Sequence, residues 1–153
     1  MDHAAGAETL RALNTLPSGT FLLTAAHDSK RCGMIVHWVQ ACAEEPALIA
    51  VAARKGHSIE PVIRDSRAFA VCRIDPDDKL LIHTFATHKP PDEDGDPFAS
   101  FDVEMLATGS PVLSRSLSVI DCQVVRHFDL EADHELYVGQ VLSGWVKGEG
   151  KRQ

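Results

Sequence analysis

The chain has 153 residues, 44% apolar and 24% charged, with 15 Lys and Arg against 22 Asp and Glu for a net charge of −7. That length holds one domain of about 100 to 200 residues, expected to span 1–153, and the composition excludes a disordered tail or a fibre. Its net charge repels a phosphate backbone and an anionic lipid surface, so neither nucleic-acid binding nor membrane attachment is expected.

Leu10, Leu13 and Leu16 recur at helical spacing and predict a short amphipathic helix over Glu8 to Leu16, lying against the body and stopped by Pro17. Thr20 to Ala25 is an apolar run of strand length, His27 to Lys30 a polar break, and Gly33 to Ala41 a second run, so the two predict a hairpin. After the Glu44-Glu45-Pro46 break, Leu48 to Ala52 lacks polar alternation and reads as a central strand buried on both faces. Arg54-Lys55-Gly56-His57 is a basic turn, and Ser58 is placed to cap a helix carrying Ile59, Val62 and Ile63, with Pro61 tolerated in its first turn. Ala68 to Ile74 predicts a strand; Pro76-Asp77-Asp78 caps a helix with Leu80, Leu81 and Phe85 that ends near His88. The Pro90 to Pro97 segment is an acidic loop, Thr108 to Pro111 a turn, and Leu117 to Arg126 and Glu135 to Val146 two further strands before a frayed tail from Lys147.

Six of the seven net negative charges fall between Asp92 and Glu104, which contains no Lys or Arg. The longest apolar run, Ala47 to Ala53, is far short of the ~20 residues of a membrane-crossing helix, and Met1-Asp2-His3-Ala4 lacks the basic start of a signal peptide. A cytoplasmic protein is expected. Cysteines at 32, 42, 72 and 122 form no C-x-x-C pair, so reduced and mostly buried thiols are expected and no metal site. Short strands with a few helices between them, without regular alternation, favour a largely antiparallel barrel with rim helices over a doubly wound sheet. No G-x-G-x-x-G, G-x-x-x-x-G-K or G-x-S-x-G occurs, so a Rossmann site, a P-loop or a nucleophile elbow is unsupported.

Three features exceed what a plain barrel needs. Arg54, Lys55, His57 and Ser58 stand between a strand and a helix start, where two cations, backbone N–H groups and the helix dipole favour a phosphate, although an ordinary solvated turn has the same composition. Gly33 to Gln40 is a Trp-bearing strand that turns from apolar to mixed at His37, a pattern that core packing alone also produces. In Asp133-His134-Glu135-Leu136-Tyr137-Val138-Gly139 a histidine precedes a Gly-containing strand, equally the pattern of a loop histidine beside a β-bulge.

In this order and at these separations the features resemble the flavin reductase family with the FMN-binding split β-barrel, a mainly β, antiparallel, Greek-key-like fold with short helices. The resemblance runs from Gly19 to Thr24 and Gly33 to Ala41, through Glu45 to Val51, Arg54 to Ser58 and Ile63 to Val71. It continues through Gly109 to Leu113, Cys122, Asp133-His134 and Val138 to Val141. It implies an oxidoreductase that passes a hydride from NADH or NADPH to FMN, or to FAD. The flavin phosphate would sit at Arg54, Lys55, His57 and Ser58, and its ring against the strand of Met34, Val36, His37, Trp38, Val39, Gln40 and Ala41. His134 matches the family's histidine near the nicotinamide and is expected to position the hydride donor. At His37 the family usually has a small polar residue, so the imidazole either adds a ring-edge hydrogen bond or crowds the site. The resemblance also implies a homodimer with the flavin at its interface and a monooxygenase or other redox partner. A non-enzymatic FMN electron carrier docking through the acidic loop is the alternative, and any phosphorylated cofactor would suit the basic turn.

Overall fold

The structure, a computed structural model, describes residues 6–86 and 95–148. In chain order the elements are α1 (Ala7–Leu13), β1 (Phe21–His27), β2 (Lys30–Val36), β3 (Trp38–Glu44), β4 (Ala47–Arg54), α2 (Ile59–Ser66) and β5 (Ala68–Arg73). There follow α3 (Lys79–Ala86), a 3-10 turn (Pro97–Ser100), β6 (Val103–Met105), β7 (Pro111–Leu113), β8 (Ser118–Asp129) and β9 (His134–Val146). Seven strands make one antiparallel sheet in the order β2-β1-β5-β8-β9-β4-β3, and β6 and β7 pair separately. The expected antiparallel fold with short helices is the one observed. No helix among the described residues is long and apolar enough to cross a membrane.

The run from Gly33 to Ala41 is two strands, not one. β2 ends at Val36 and pairs with β1, β3 begins at Trp38 and pairs with β4, and the single residue between them carries the chain from one end of the sheet to the other. His37 is pinned at this joint: its Nδ1–H donates to the Gly19 carbonyl at 2.9 Å, and its own carbonyl accepts the Gly19 N–H at 3.1 Å. Local partners thus replace a continuing ladder. The seven-stranded order stays open, with sequence neighbours at its two ends.

The sheet separates two apolar clusters. On one side Leu23, Val36, Val51, Phe69 and Tyr137 pack with Ile59, Val62 and Ile63 of α2. On the other, Leu22, Ala70, Leu81, Phe85, Phe98, Val112 and Leu113 pack under α3, the 3-10 turn and β7. The strands buried on both faces are therefore β1 and β5, which lie between these clusters, and not Leu48 to Ala52 as their composition suggested. β4 alternates: Ile49, Val51 and Ala53 are buried, while Ala50 and Ala52 face outward as small side chains.

Other expectations need correction. α1 ends at Leu13, three residues early, and buries nothing; Leu10, Leu13 and Leu16 are 46%, 49% and 60% exposed, because no element among the described residues covers them. Ser58 makes no side-chain cap bond, and the Ile59 N–H is taken instead by His57 Nδ1 at 3.0 Å. The Asp78 carboxylate does receive the Leu81 N–H, at 3.3 Å, as its place before α3 suggested. β6, β7 and the 3-10 turn, too short for any period to register, went unread. The predicted acidic loop and the end of α3 near His88 fall mostly outside the described residues, as does most of the tail. Asp96, within the described part, accepts from Arg31 Nε at 2.8 Å and from the Phe98 N–H at 2.9 Å. Cys32, Cys72 and Cys122 are buried and Cys42 exposed. Burial pushes the Cys72 thiol up to about 11 and the Cys122 thiol up to about 12, so neither is a thiolate near neutral pH.

Below the basic turn, α2 carries Glu60 toward the buried Glu135 of β9, whose carboxylate also meets His127 Nε2 at 2.5 Å. Burial and the Glu135 charge raise the Glu60 carboxyl above its ordinary value, with His127 and Arg64 opposing. A raised folded value means that proton binding favours the fold, a contribution present at acid pH and lost as pH rises through that value. Glu60→Gln is thus expected to raise the melting temperature by about 1 to 3 °C at pH ~8 and very little at pH ~4. Equal gains at both pH values in calorimetry would exclude this origin.

Candidate functional site

A cleft of about 500 Å³ opens where the ends of β2 and β4 meet α3 and the start of β9, within the range of about 300 to 1,000 Å³ typical of small-molecule sites. Met34 and Val36 of β2, His37 at the joint and Trp38 of β3 line it. From β4 and the turn after it come Ala52, Arg54, Lys55 and His57, and from β9 His134. Eight of the twelve residues singled out in the sequence are thus brought together. The other four are not in the lining. Trp38 lies opposite Ala52 in the β3/β4 register, whereas Val39, Gln40 and Ala41 lie opposite Val51, Ala50 and Ile49, progressively further along the strand. Ser58 places its Oγ 3.4 Å from Sγ of the buried Cys32.

Ile35, Ala52, Phe85 and Ala86 also line the cleft and escaped the sequence reading. Phe85 and Ala86 arrive from a helix some fifty residues beyond β2, which no local pattern reveals. The available signal was Gly33: a Cβ there would lie 2.8 Å from the Phe85 ring, so the glycine is what lets α3 approach β2 so closely. Ala52 is legible only once Trp38 is placed opposite it.

The cleft is sorted by chemistry. Met34, Val36, Ala52 and Phe85 give it an apolar wall, and the Trp38 and His134 rings pack against each other with centroids 4.9 Å apart. Arg54 and Lys55 bring positive charge, and both are engaged by the tip of the β8–β9 hairpin. Arg54 Nη1 lies 3.6 Å from Asp133 Oδ2, Lys55 Nζ donates to Asp129 Oδ1, and the Lys55 N–H donates to the Asp133 carbonyl at 3.0 Å. The Lys55 ammonium holds the Asp129 carboxyl below its usual range, and in turn its own value is raised by that bond. His134 opens β9, not the loop before it, and lies across the ladder from Arg54. Its Nδ1 is 2.9 Å from Asp133 Oδ1, and this bond lowers the Asp133 carboxyl. A carboxylate only accepts, so Nδ1 carries the proton and Nε2 of a neutral ring is left as an acceptor. His37, donating from Nδ1 to Gly19, has the same tautomer, so its imidazole is held by the main chain while lining the cleft.

These residues fit a flavin. Two cations suit a phosphate, an apolar wall suits a fused aromatic ring, and two histidines with committed Nδ1 atoms offer directional polar contacts.

Comparisons with known proteins agree in the fold. The family model described as "Flavin reductase like domain" matches residues 13–153. The reductase component of a 4-nitrophenol 4-monooxygenase/4-nitrocatechol 2-monooxygenase of Rhodococcus opacus is 30% identical over 137 residues, covering 89% of this chain and 70% of that protein. Diflavin flavoprotein A 1 of Synechocystis sp. is 26% identical over 142 residues, 92% of this chain but 24% of that protein, so the chain spans about a quarter of the diflavin relatives. A nitrilotriacetate monooxygenase component B homologue from Mycobacterium thermoresistibile superposes with a TM-score of 0.79 at 25% identity, covering 95% of this chain and 78% of that one.

Proposed function

The chain belongs to the flavin reductase like domain family, and from that membership we propose that it is an NAD(P)H:flavin oxidoreductase acting on FMN, or FAD, in the cleft between β2, β4 and α3. The observation that carries this reading is the sorting of the cleft, with Arg54 and Lys55 beside an apolar wall and the Trp38–His134 ring pair. When bound, the flavin accepts a hydride from NADH or NADPH, and the protein holds and orients the two.

In this reading Arg54 and Lys55 bind the phosphate, with His57 and Ser58 shaping the helix start behind them. Met34, Val36 and Ala52 support one side of the ring, and Val39, Gln40 and Ala41 continue the strand beyond the cleft. The His37 imidazole, fixed to Gly19, contributes a ring-edge hydrogen bond and not a steric block. His134, its tautomer set by Asp133, positions the nicotinamide through Nε2. Ring stacking between the two cofactors demands orientation more than acid or base chemistry.

The test is the visible flavin absorbance of protein mixed with FMN, gel-filtered, then treated with NADH without oxygen. Retained absorbance that bleaches is expected, and His134→Ala should slow bleaching about tenfold while FMN affinity stays within about twofold. A variant that loses FMN instead would make His134 a flavin ligand. Flavin that stays bound yet unbleached would favour the second reading, an FMN electron carrier, which the chain's likeness to part of the diflavin flavoproteins supports. The Rhodococcus relative, a reductase component of a monooxygenase, supports a monooxygenase as the recipient of reduced flavin. A homodimer completes the proposal; a flavin-bound monomer in light scattering would remove that part alone.

A further inference from the structure

We propose that Asp129 and Asp133 determine how the cleft discriminates among flavins: paired with Lys55 and Arg54, they compete with a flavin phosphate and so weaken the binding of FMN relative to riboflavin. This rests on the flavin reading above.

Both cations of the basic turn already have carboxylate partners, and both partners come from one hairpin tip. Each carboxylate is held in place by a second bond, Asp129 by the Glu131 N–H at 2.8 Å and Asp133 by His134 at 2.9 Å. The main-chain bond from the Lys55 N–H to the Asp133 carbonyl ties the tip to the turn. The two carboxylates therefore stay beside the cations even when a side-chain pair opens. A carboxylate on an ammonium or guanidinium is a singly charged counterpart of a phosphate, and an arriving phosphate must displace it and then lie next to it.

The carboxylates are 65% and 69% exposed, so each pair is weak and gives way instead of blocking the site. What remains after displacement is repulsion between a dianion and one or two carboxylates within a Debye length of about 8 Å. That repulsion acts on the phosphate alone. Riboflavin has the same ring and ribityl chain without a phosphate and does not meet it.

The experiment titrates FMN and riboflavin by flavin fluorescence into the wild-type chain, Asp129→Asn, and Asp129→Asn combined with Asp133→Asn. The single variant, which leaves the His134 contact intact, is expected to bind FMN about three- to tenfold more tightly with riboflavin unchanged to within about twofold. The double variant extends the gain for FMN alone. FMN affinity that does not rise, or an equal change for both flavins, overturns the inference while leaving the flavin reading in place. Failure of all three proteins to bind either flavin overturns the flavin reading itself, and the inference with it.

Discussion

An Arg54→Ala, Lys55→Ala double variant is expected to bind FMN on the order of a hundredfold more weakly than the wild type, with riboflavin affinity little changed. A charge-assisted contact to phosphate is worth about 1.5 to 3 kcal/mol, roughly ten- to 150-fold in affinity, so two contacts alone would suggest a loss well beyond a hundredfold. Both cations, however, are drawn from existing pairs with Asp133 and Asp129, and the net gain from each is smaller by what those pairs give up. The side chains are at the surface end of β4 and in the turn after it, so the fold should survive, which a melting curve can verify. Fluorescence titration decides the matter: FMN affinity within about threefold of the wild type would put the phosphate somewhere other than this turn.

A large loss of stability is expected on substitution of Gly139. Its neighbours across the ladder are Ile49 on β4 and Val124 on β8, and a Cβ would stand 2.6 Å from the Phe69 ring and 2.7 Å from Cβ of Cys122. Phe69 and Cys122 are both fully buried, so neither can swing into solvent to make room. Overpacking a filled core costs about 1 to 3 kcal/mol, and a valine, with two methyl groups beyond the Cβ, belongs at or above the top of that range. For a chain of this length Gly139→Val should lower the melting temperature by about 6 to 12 °C, with Gly139→Ala intermediate. Shortening the opposing ring in a Gly139→Ala, Phe69→Leu double variant should restore part of the loss. If the double variant is no better than the sum of its parts, the clash with Phe69 is not the cause.

How far the sequence could be read depended on the range over which each signal acts. Runs of β-branched and apolar residues marked β1, β4, β5, β8 and β9 because a strand records its burial in consecutive positions. The turn from Arg54 to His57 and the Asp133-His134 pair were visible as local clusters of charge. Burial by the far side of the molecule was not visible. Thr24 is an example: its place in an apolar strand run says nothing of a partner, yet it is fully buried with its hydroxyl donating to the Pro111 carbonyl at 2.6 Å, 87 residues away. The leucines of α1 have the spacing of a buried stripe and are exposed, since spacing records that a helix has an apolar face and not that anything covers it. His37 looked like a change of composition within a strand and proved to be the end of one strand and the approach to another. Phe85 entered the cleft from α3, and only the missing side chain of Gly33 hinted at so close a neighbour.

The joint at His37 also has a kinetic meaning. Met34, Val36 and Trp38 are close in sequence, but they belong to strands at opposite ends of a seven-strand order whose interior links, such as β1 with β5 and β4 with β9, join distant stretches of chain. The cleft's walls therefore face each other only after the most non-local pairings have formed, the slowest kind of event in the assembly of a chain. A partly folded molecule with the β1–β2 and β3–β4 hairpins in place holds most of the lining residues, without Phe85, Ala86 and His134, and none of the cleft. Ligand binding here reports completion of the whole sheet.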